Sequence, residues 1–175
     1  MIILQTEKRR KNVLKRLKES ENAIIGSKLA EEFEVSRQVI VQDIALLRAK
    51  GEKIIATSQG YLYPESNKDT IQATIACKHG ESEEVQEELM IIVSYGAKII
   101  DVIVEHPIYG ELKGMLMIKT PADVKKFIKN YRENNASLLA SLTDGVHLHT
   151  IEALNEQVVK KIREELDEKG YLLDK

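Results

Sequence analysis

Residues 36–51, SRQVIVQDIALLRAKG, have the pattern of a helix with a polar, exposed start. Ser36 is a residue type that caps helix N-termini, and Gly51 is the type that commonly ends a helix. Between them, apolar residues recur at helical spacing, at Val39, Ile40, Ile44 and Leu47. This spacing predicts a helix with one buried face and one face turned to solvent.

The flanking segments predict two more helices and a hairpin. Residues 6–20 mix basic side chains with an apolar stripe, and residues 24–35 form a shorter amphipathic pattern that Ser27 can cap. Residues 52–63 give two β-prone runs around a short polar turn, which is typical of a hairpin or wing. Three helices followed by a wing predict a winged helix-turn-helix domain over residues 1–64.

Composition and charge divide the chain further. The chain has 175 residues with 43% hydrophobic residues and a formal net charge of -2. Residues 1–63 carry 12 Lys and Arg against 8 Asp and Glu, whereas the remainder carries 14 against 20. A basic module therefore precedes an acidic one, which favours a polyanion as the partner of the N-terminal module.

The sequence also indicates the cellular compartment. No apolar run approaches the roughly 18 residues of a membrane helix. The single cysteine, Cys77, excludes an internal disulfide and is typical of a reducing compartment. We therefore expect a cytoplasmic protein without membrane contact.

A cluster of turn-forming residues at 63–70, YPESNKDT, predicts the boundary between two domains. Beyond it the patterns alternate as β-α-β-β-α-β, followed by a helix and by residues 171–174 as a candidate edge strand. This order resembles a ferredoxin-like split βαβ sandwich with helices on one face. The sequence thus predicts an α+β fold, with the second domain over residues 69–175.

The helix that begins after Ser36 carries residues suited to reading bases. In a helix-turn-helix, the second helix offers its N-terminal side chains to base edges. Arg37 can bind guanine through two hydrogen bonds, and Gln38 or Gln42 can pair with adenine in the same way. Phosphate and backbone contacts are expected from Lys8, Arg9, Arg10, Lys11, Lys28, Thr57, Ser58 and Gln59.

The predicted DNA-binding set is Ser36, Arg37, Gln38, Gln42 and Lys28, with operator double-stranded DNA as the partner. A three-helix unit with basic, solvated faces also occurs in proteins that never bind DNA. The pattern alone leaves that alternative open.

Three of the four histidines could converge. His147 and His149 are one residue apart in a β-prone run, so their side chains share a face, as do those of Cys77 and His79. Imidazole suits Zn, Ni, Cu and Fe. Candidate carboxylates follow His79 on a predicted helix, at Glu83, Glu84, Glu87 and Glu88. The alternative is a partly exposed histidine pair beside a solvated helix face.

Longer blocks resemble known families. Residues 24–63 resemble the winged helix-turn-helix of the biotin repressor and of DeoR-type regulators, most distinctively in S-R-Q-x-I-x-x-D-I-x-x-L-R. KHGESEEVQEEL, DVIVEHPIYGEL and SLTDGVHLHTIEA resemble the blocks of the 3H domain. In this order the two modules resemble the NiaR-type transcriptional repressors of NAD biosynthesis and niacin transport genes, over essentially the whole chain.

The resemblance implies a homodimeric repressor that responds to nicotinic acid as co-repressor. It also implies one divalent transition metal per chain, Ni²⁺ or Zn²⁺. Carried onto this sequence, the metal ligands would be His79, Glu87, His147 and His149. We expect His106 and Tyr109 at the wall of the effector pocket.

Two other functions fit the same residues. The protein could be a metal-dependent hydrolase with Glu84 or Glu88 as general base, although the sequence has neither an H-E-x-x-H motif nor a nucleophile elbow. Alternatively, Cys77 and three histidines could hold a purely structural zinc ion in a DNA-binding protein.

Overall fold

The computed structural model describes residues 2–64, 69–80 and 82–173, with side chains described from residue 5 onward. The chain divides into two compact units, residues 1–66 and 67–175. The predicted boundary segment 63–70 contains residues 65–68, which lie outside the described residues, as does Asp174 of the predicted last strand.

The N-terminal unit contains three helices and a hairpin, which confirms the helix-turn-helix prediction. In chain order the elements are α1 (Ile2–Lys18), α2 (Gly26–Glu32), α3 (Arg37–Ala49), β1 (Ile55–Thr57) and β2 (Gly60–Leu62). The hairpin β1–β2 is antiparallel, and Ile24 pairs with Tyr61 as a third short bridge. The apolar faces meet in one core, formed by Val13, Leu17, Ile24, Leu29, Ala30, Ile40, Ile44, Leu47 and Ile54.

The starts of α2 and α3 differ from each other. Ser36 caps α3 as predicted, because its hydroxyl accepts the Val39 N–H at 3.3 Å. Ser27 does not cap α2, which corrects the prediction: Ile25 is the N-cap residue and no side chain caps the helix. Helix α2 is also shorter than the pattern 24–35, because Ile24 exchanges backbone hydrogen bonds with Tyr61 of the wing.

The C-terminal unit combines four strands with three α-helices, which confirms the α+β class. Its elements are β3 (Ile71–Lys78), α4 (Ser82–Ser94), β4 (Lys98–His106), β5 (Gly110–Ile118), α5 (Pro121–Glu133), a 3-10 helix (Leu139–Thr143), β6 (Val146–Ala153) and α6 (Glu156–Glu168). The strands form one antiparallel sheet in the order β3-β6-β4-β5. Each βαβ unit is therefore split by an inserted strand: β6 lies between β3 and β4, and β4 lies between β5 and β6.

The helix boundaries follow from local chemistry. Thr120 and Asp123 form a reciprocal capping box at the start of α5, with Pro121 in its first turn. Asn155 caps α6 by accepting the Val158 N–H. After α6 the chain returns to the sheet, where Leu172 forms an isolated bridge with Cys77 and so confirms an edge contact in residues 171–173.

All three helices of this unit share one core with the sheet. It contains the fully buried Ile75, Leu89, Ile92, Ile99, Ile118, Val124, Ile151, Ile162 and Leu166. Burying side chains of this size stabilises the unit by roughly 1.5–3 kcal/mol each. Over the ranges that the structure describes, no helix combines the length and apolar character needed to span a membrane.

Gly60 has a conformation that only glycine adopts easily. Its φ is +123°, and a Cβ at this position would collide with the backbone of Ile24 and Ile25. Gly51 also has a positive φ, +95°, but a Cβ there would meet open space. A side chain at position 51 would therefore cause backbone strain alone, whereas one at position 60 would cause both strain and a steric collision.

We predict that Gly60→Ala destabilises the N-terminal unit by roughly 2–4 kcal/mol, because it adds a collision to the strain. Gly51→Ala, the matched control, should cost only about 1 kcal/mol. Amide hydrogen exchange at Ile24 and Tyr61 measures both effects. Equal acceleration of exchange in the two variants would contradict the role given to the wing contact.

Candidate metal centre and nucleic-acid interface

Strand pairing brings the histidines together. In the β3–β6 register Cys77 lies opposite His147 and Ile75 lies opposite His149. His147 and His149 both point into the protein and are only 3% exposed. Val146, the first residue of β6, is exposed. His79, at 7% exposure, follows β3 directly and joins them from the neighbouring strand.

Gly145 allows this close approach. Its φ is +87°, and a Cβ would collide with the His79 carbonyl group. The His79 N–H donates to the Gly145 carbonyl oxygen at 3.3 Å. Any larger residue at position 145 would therefore push His79 away from the start of β6.

The carboxylate of Glu88 lies among the three imidazoles. Its Oε2 atom is 2.6 Å from His79 Nε2, 3.2 Å from His147 Nε2 and 3.5 Å from His149 Nε2. Glu88 is fully buried. Within the described residues, ligand atoms of His79, Glu88 and His147 all lie within 4.8 Å of one another, a spacing at which they could hold a metal ion.

The opposite ring nitrogens fix the orientation of two imidazoles. His147 Nδ1 donates to the Gly145 carbonyl oxygen at 2.8 Å, and His149 Nδ1 donates to the Asp101 carbonyl oxygen at 2.6 Å. Because a carbonyl can only accept, both Nδ1 atoms carry the proton, which leaves Nε2 facing the cluster. Backbone carbonyls hold metal-ligating histidines in this way.

Asp101 supports the same arrangement from β4. Asp101 is 3% exposed, and its side chain accepts the Thr150 N–H at 3.0 Å, which ties β4 to β6 beside His149. The strand register shifts between Ile99 and Ile103. The irregular β4 backbone thus presents the Asp101 carbonyl oxygen to an imidazole instead of continuing the regular ladder.

The cluster has mutually stabilised charges. Burial alone would raise the pKa of Glu88, but the charge of His149 and hydrogen bonds from His147, His149 and His79 hold it well below its ordinary value. Burial alone would lower the pKa of His149, but the Glu88 carboxylate outweighs it and raises that pKa. In the absence of a metal, the pair therefore favours carboxylate and imidazolium.

The four candidate glutamates of α4 have different surroundings. Glu87, carried over from the family resemblance, accepts hydrogen bonds from Lys169 and Tyr171, which lower its pKa, and it raises the pKa of Tyr171 to about 12. Glu84 accepts the Gly80 N–H, and Glu83 lies near Arg132. Among these four, Glu88 is the one that contacts the histidines.

The helical spacing of α4 contains the signal for Glu88. Val85, Leu89 and Ile92 form its buried stripe. Position 88 follows Val85 by three residues and precedes Ile92 by four, so it falls inside that stripe. A carboxylate at a core position requires a charged or metal partner, and this requirement distinguishes Glu88 from its neighbours.

Three further sequence candidates are Cys77, His106 and Tyr109. Cys77 is fully buried in the apolar core beside His147. His106 Nδ1 accepts the N–H groups of Ile108 and Tyr109 and so closes the β4–β5 turn. The Tyr109 ring packs 5.0 Å from the His106 ring and is 73% exposed.

The predicted base-reading residues lie on the outside of α3. Arg37, Gln38 and Gln42 are exposed, and so is Lys28 on the first turn of α2. Ser36 is exposed as well, with its hydroxyl engaged in the cap. The Arg37 side chain lies close to Gly26, where a Cβ would come within 3.6 Å of its Nε atom.

Arg9, a predicted phosphate contact, forms an ion pair within the N-terminal unit. Its Nε donates to Oδ2 of Asp43 at 2.7 Å, and this hydrogen bond raises the pKa of Arg9. Asp43 is 2% exposed on α3. The ion pair therefore fastens α1 to the recognition helix, and the sequence could not reveal it because the partners are 34 residues apart.

Comparisons with known proteins give the family. Residues 9–62 match a helix-turn-helix domain model and residues 72–175 match the 3H domain model. "Probable transcription repressor NiaR" of Thermotoga maritima is 43% identical, over 96% of this chain and 95% of that protein. "Transcription repressor NadR" of Bacillus subtilis is 46% identical, over 94% of this chain and 93% of that protein.

The chain belongs to the NiaR family of helix-turn-helix 3H repressors. Both modules occur in the predicted order, so the resemblance read from the sequence is confirmed. Members of this family are transcription regulators and not enzymes, which removes the hydrolase alternative. The histidine cluster lies entirely within the residues that match the 3H domain.

The directions of these two pKa shifts determine how the stability of the metal-free protein changes with pH. Folding raises the His149 pKa, so its contribution to stability is full below about 6.5 and is lost as pH rises through the raised value. Folding lowers the Glu88 pKa, so its contribution is present above about 4.3 and is lost as pH falls through the lowered value.

We predict that Glu88→Gln lowers the pKa of His149 in the metal-free protein, because an amide cannot offset the burial of an imidazolium. An NMR titration of the His149 ring protons measures this change. Glu87→Gln is the matched control and should leave the His149 midpoint unchanged, since Glu87 binds Lys169 and Tyr171. An unchanged midpoint in Glu88→Gln would disprove the proposed coupling.

Proposed function

We propose that this protein is a cytoplasmic, homodimeric repressor of NAD biosynthesis and niacin transport genes. It binds operator double-stranded DNA through α3 and the wing, and nicotinic acid acts as its co-repressor. One divalent metal, Ni²⁺ or Zn²⁺, is held by each 3H domain. The observation that carries the proposal is the convergence of three buried imidazoles and one carboxylate, in a domain that follows a winged helix-turn-helix along the chain.

The donor set supports a transition metal. Three imidazole nitrogens and a carboxylate oxygen suit Zn²⁺ or Ni²⁺, and four ligands on an octahedral ion would leave positions open. We propose His79, Glu88, His147 and His149 as the ligands. Glu88 replaces Glu87 in this set because Glu88 contacts each histidine, whereas the Glu87 carboxylate is bound by Lys169 and Tyr171.

Such a metal would link three parts of the domain. The ligands come from the end of β3, from α4 and from β6. When bound, the ion would neutralise Glu88 and take the place of the imidazolium charge, so its affinity should increase with pH. The carbonyl groups of Gly145 and Asp101 would keep two imidazoles oriented for binding.

The repression mechanism requires two recognition helices. A dimer that binds a palindromic operator places its recognition helices about one helical turn of DNA apart. Nicotinic acid need only bind the DNA-competent dimer more tightly than the incompetent one. Its differential affinity then sets the size of the switch, typically about 5–150-fold.

We predict that Glu88→Gln weakens Ni²⁺ or Zn²⁺ binding by at least about a hundredfold, because even outer-sphere changes cost about 10–100-fold. Glu87→Gln, the matched control one residue away, should bind metal close to wild type. Calorimetric titration of the metal-free chain measures both. A loss confined to Glu87→Gln would restore the ligand set implied by the family resemblance.

We predict that nicotinic acid tightens binding of the metal-loaded protein to an operator fragment from a niacin transport gene. Arg37→Ala should weaken operator binding by about 1–3 kcal/mol, because a bidentate base contact is lost. Lys28→Ala is the control for a phosphate contact and should weaken all sequences alike, with a salt slope smaller by about one. Gel-shift titrations measure each effect.

The same titrations decide between the alternatives. If nicotinic acid leaves DNA affinity unchanged while chelation unfolds the 3H domain, the metal is structural and the co-repressor assignment is wrong. If Arg37→Ala and Lys28→Ala have the same effect on every sequence, α3 does not read bases through Arg37.

A further inference from the structure

Two cavities adjoin the candidate metal centre, and they differ in size. One, of about 40 Å³, borders all four cluster residues and is otherwise apolar, with Phe127 and Leu139 in its wall. The other, of about 170 Å³, borders only His79 among the cluster residues. They share the walls formed by Val85, Leu138 and Ala140.

Volume determines which cavity can take a ring. The two cavities differ about fourfold in volume, about 40 Å³ against about 170 Å³. A six-membered ring with a carboxyl group is therefore accommodated more readily in the larger one.

A third cavity, of about 720 Å³, lies beside the β4–β5 turn that carries His106 and Tyr109, the residues expected at the effector pocket. Glu105 and Glu111 line it, and it borders His147. Two carboxylates disfavour an anionic ligand. The 170 Å³ cavity instead offers the hydroxyl-bearing Tyr131, Ser137 and Ser141 and includes no acidic residue among its lining residues.

His79 presents an unpartnered ring nitrogen to the 170 Å³ cavity. It borders this cavity, and its Nδ1 is buried without a hydrogen-bond partner among the described residues. Without a metal, Nε2 donates to the Glu88 carboxylate at 2.6 Å, but when Nε2 binds the proposed metal, Nδ1 carries the ring proton. In that state the buried Nδ1–H needs an acceptor, which a carboxylate oxygen of a bound ligand would supply.

We propose that nicotinic acid binds in the 170 Å³ cavity beneath residues 136–141, against His79, and does not coordinate the metal. Its ring packs on Leu138 and Ala140. Its carboxylate accepts from the hydroxyl groups of Tyr131 and Ser137, and it supplies the acceptor that His79 Nδ1 lacks when Nε2 binds the metal. The metal then acts on effector affinity through the position and tautomer of His79. This inference rests on the co-repressor assignment proposed above.

The test uses the full-length, Ni²⁺-loaded chain and calorimetric titration with nicotinic acid. Ser137→Phe should fill the cavity and weaken binding by at least about tenfold, and Tyr131→Phe, which removes only a hydroxyl, should weaken it by about fivefold. Val146→Phe is the matched control, because it places the same ring in the 720 Å³ cavity. It should leave the dissociation constant unchanged. Metal content and thermal unfolding are measured first for each variant.

A second measurement separates indirect from direct contact with the metal. With Co²⁺ in place of Ni²⁺, saturating nicotinic acid should leave the intensity of the visible ligand-field bands unchanged. A marked change in those bands, or weaker binding in Val146→Phe but not in Ser137→Phe, would overturn the site while the co-repressor assignment survives. If the wild-type protein does not bind nicotinic acid, both proposals fail.

Discussion

The buried carboxylate of Glu88 is the constraint around which the C-terminal unit is arranged. An ionised carboxylate without solvent is highly unfavourable unless charged or metal partners surround it. Here three partners come from two separate segments: His79 after β3, and His147 and His149 on β6. The strand pairing, the close approach at Gly145 and the β4 irregularity at Asp101 each bring a donor or its support to this carboxylate.

Sequence reasoning predicted the parts of this arrangement that depend on periodicity. Strand alternation alone places His147 and His149 on one face, and antiparallel pairing of β3 with β6 adds His79. To select the glutamate that contacts the histidines, one must also identify the buried stripe of α4 and notice that one of its members, Glu88, is charged. Glu88 has a buried position in that stripe but carries a charged side chain. Such a conflict between position and chemistry is typical of a functional residue.

The remaining differences involve contacts distant in sequence. The basic neighbours of Arg9 predict a phosphate contact, but they do not indicate its ion pair with Asp43, which lies on another helix. Ser27 is a residue type that predicts a helix cap, but Ile24 pairs with Tyr61 and α2 begins at Gly26, with Ile25 as its N-cap residue. The 3-10 helix at 139–143 lacks a clear repeat, and its position depends on hydrogen bonds such as Gly145 N–H to the Ala140 carbonyl at 2.9 Å.

That last hydrogen bond connects two roles of a single segment. Residues 136–145 cover the cavity beside His79, and their end, Gly145, orients both His79 and His147 through its carbonyl oxygen. Any displacement of Ala140 is therefore transmitted through one backbone hydrogen bond to Gly145, whose carbonyl oxygen binds the His79 backbone N–H and the His147 ring. Because packed interiors respond to such shifts by moving between discrete arrangements, this segment can couple the occupancy of the cavity to the geometry of the histidine cluster without direct contact between the proposed ligand and the proposed metal.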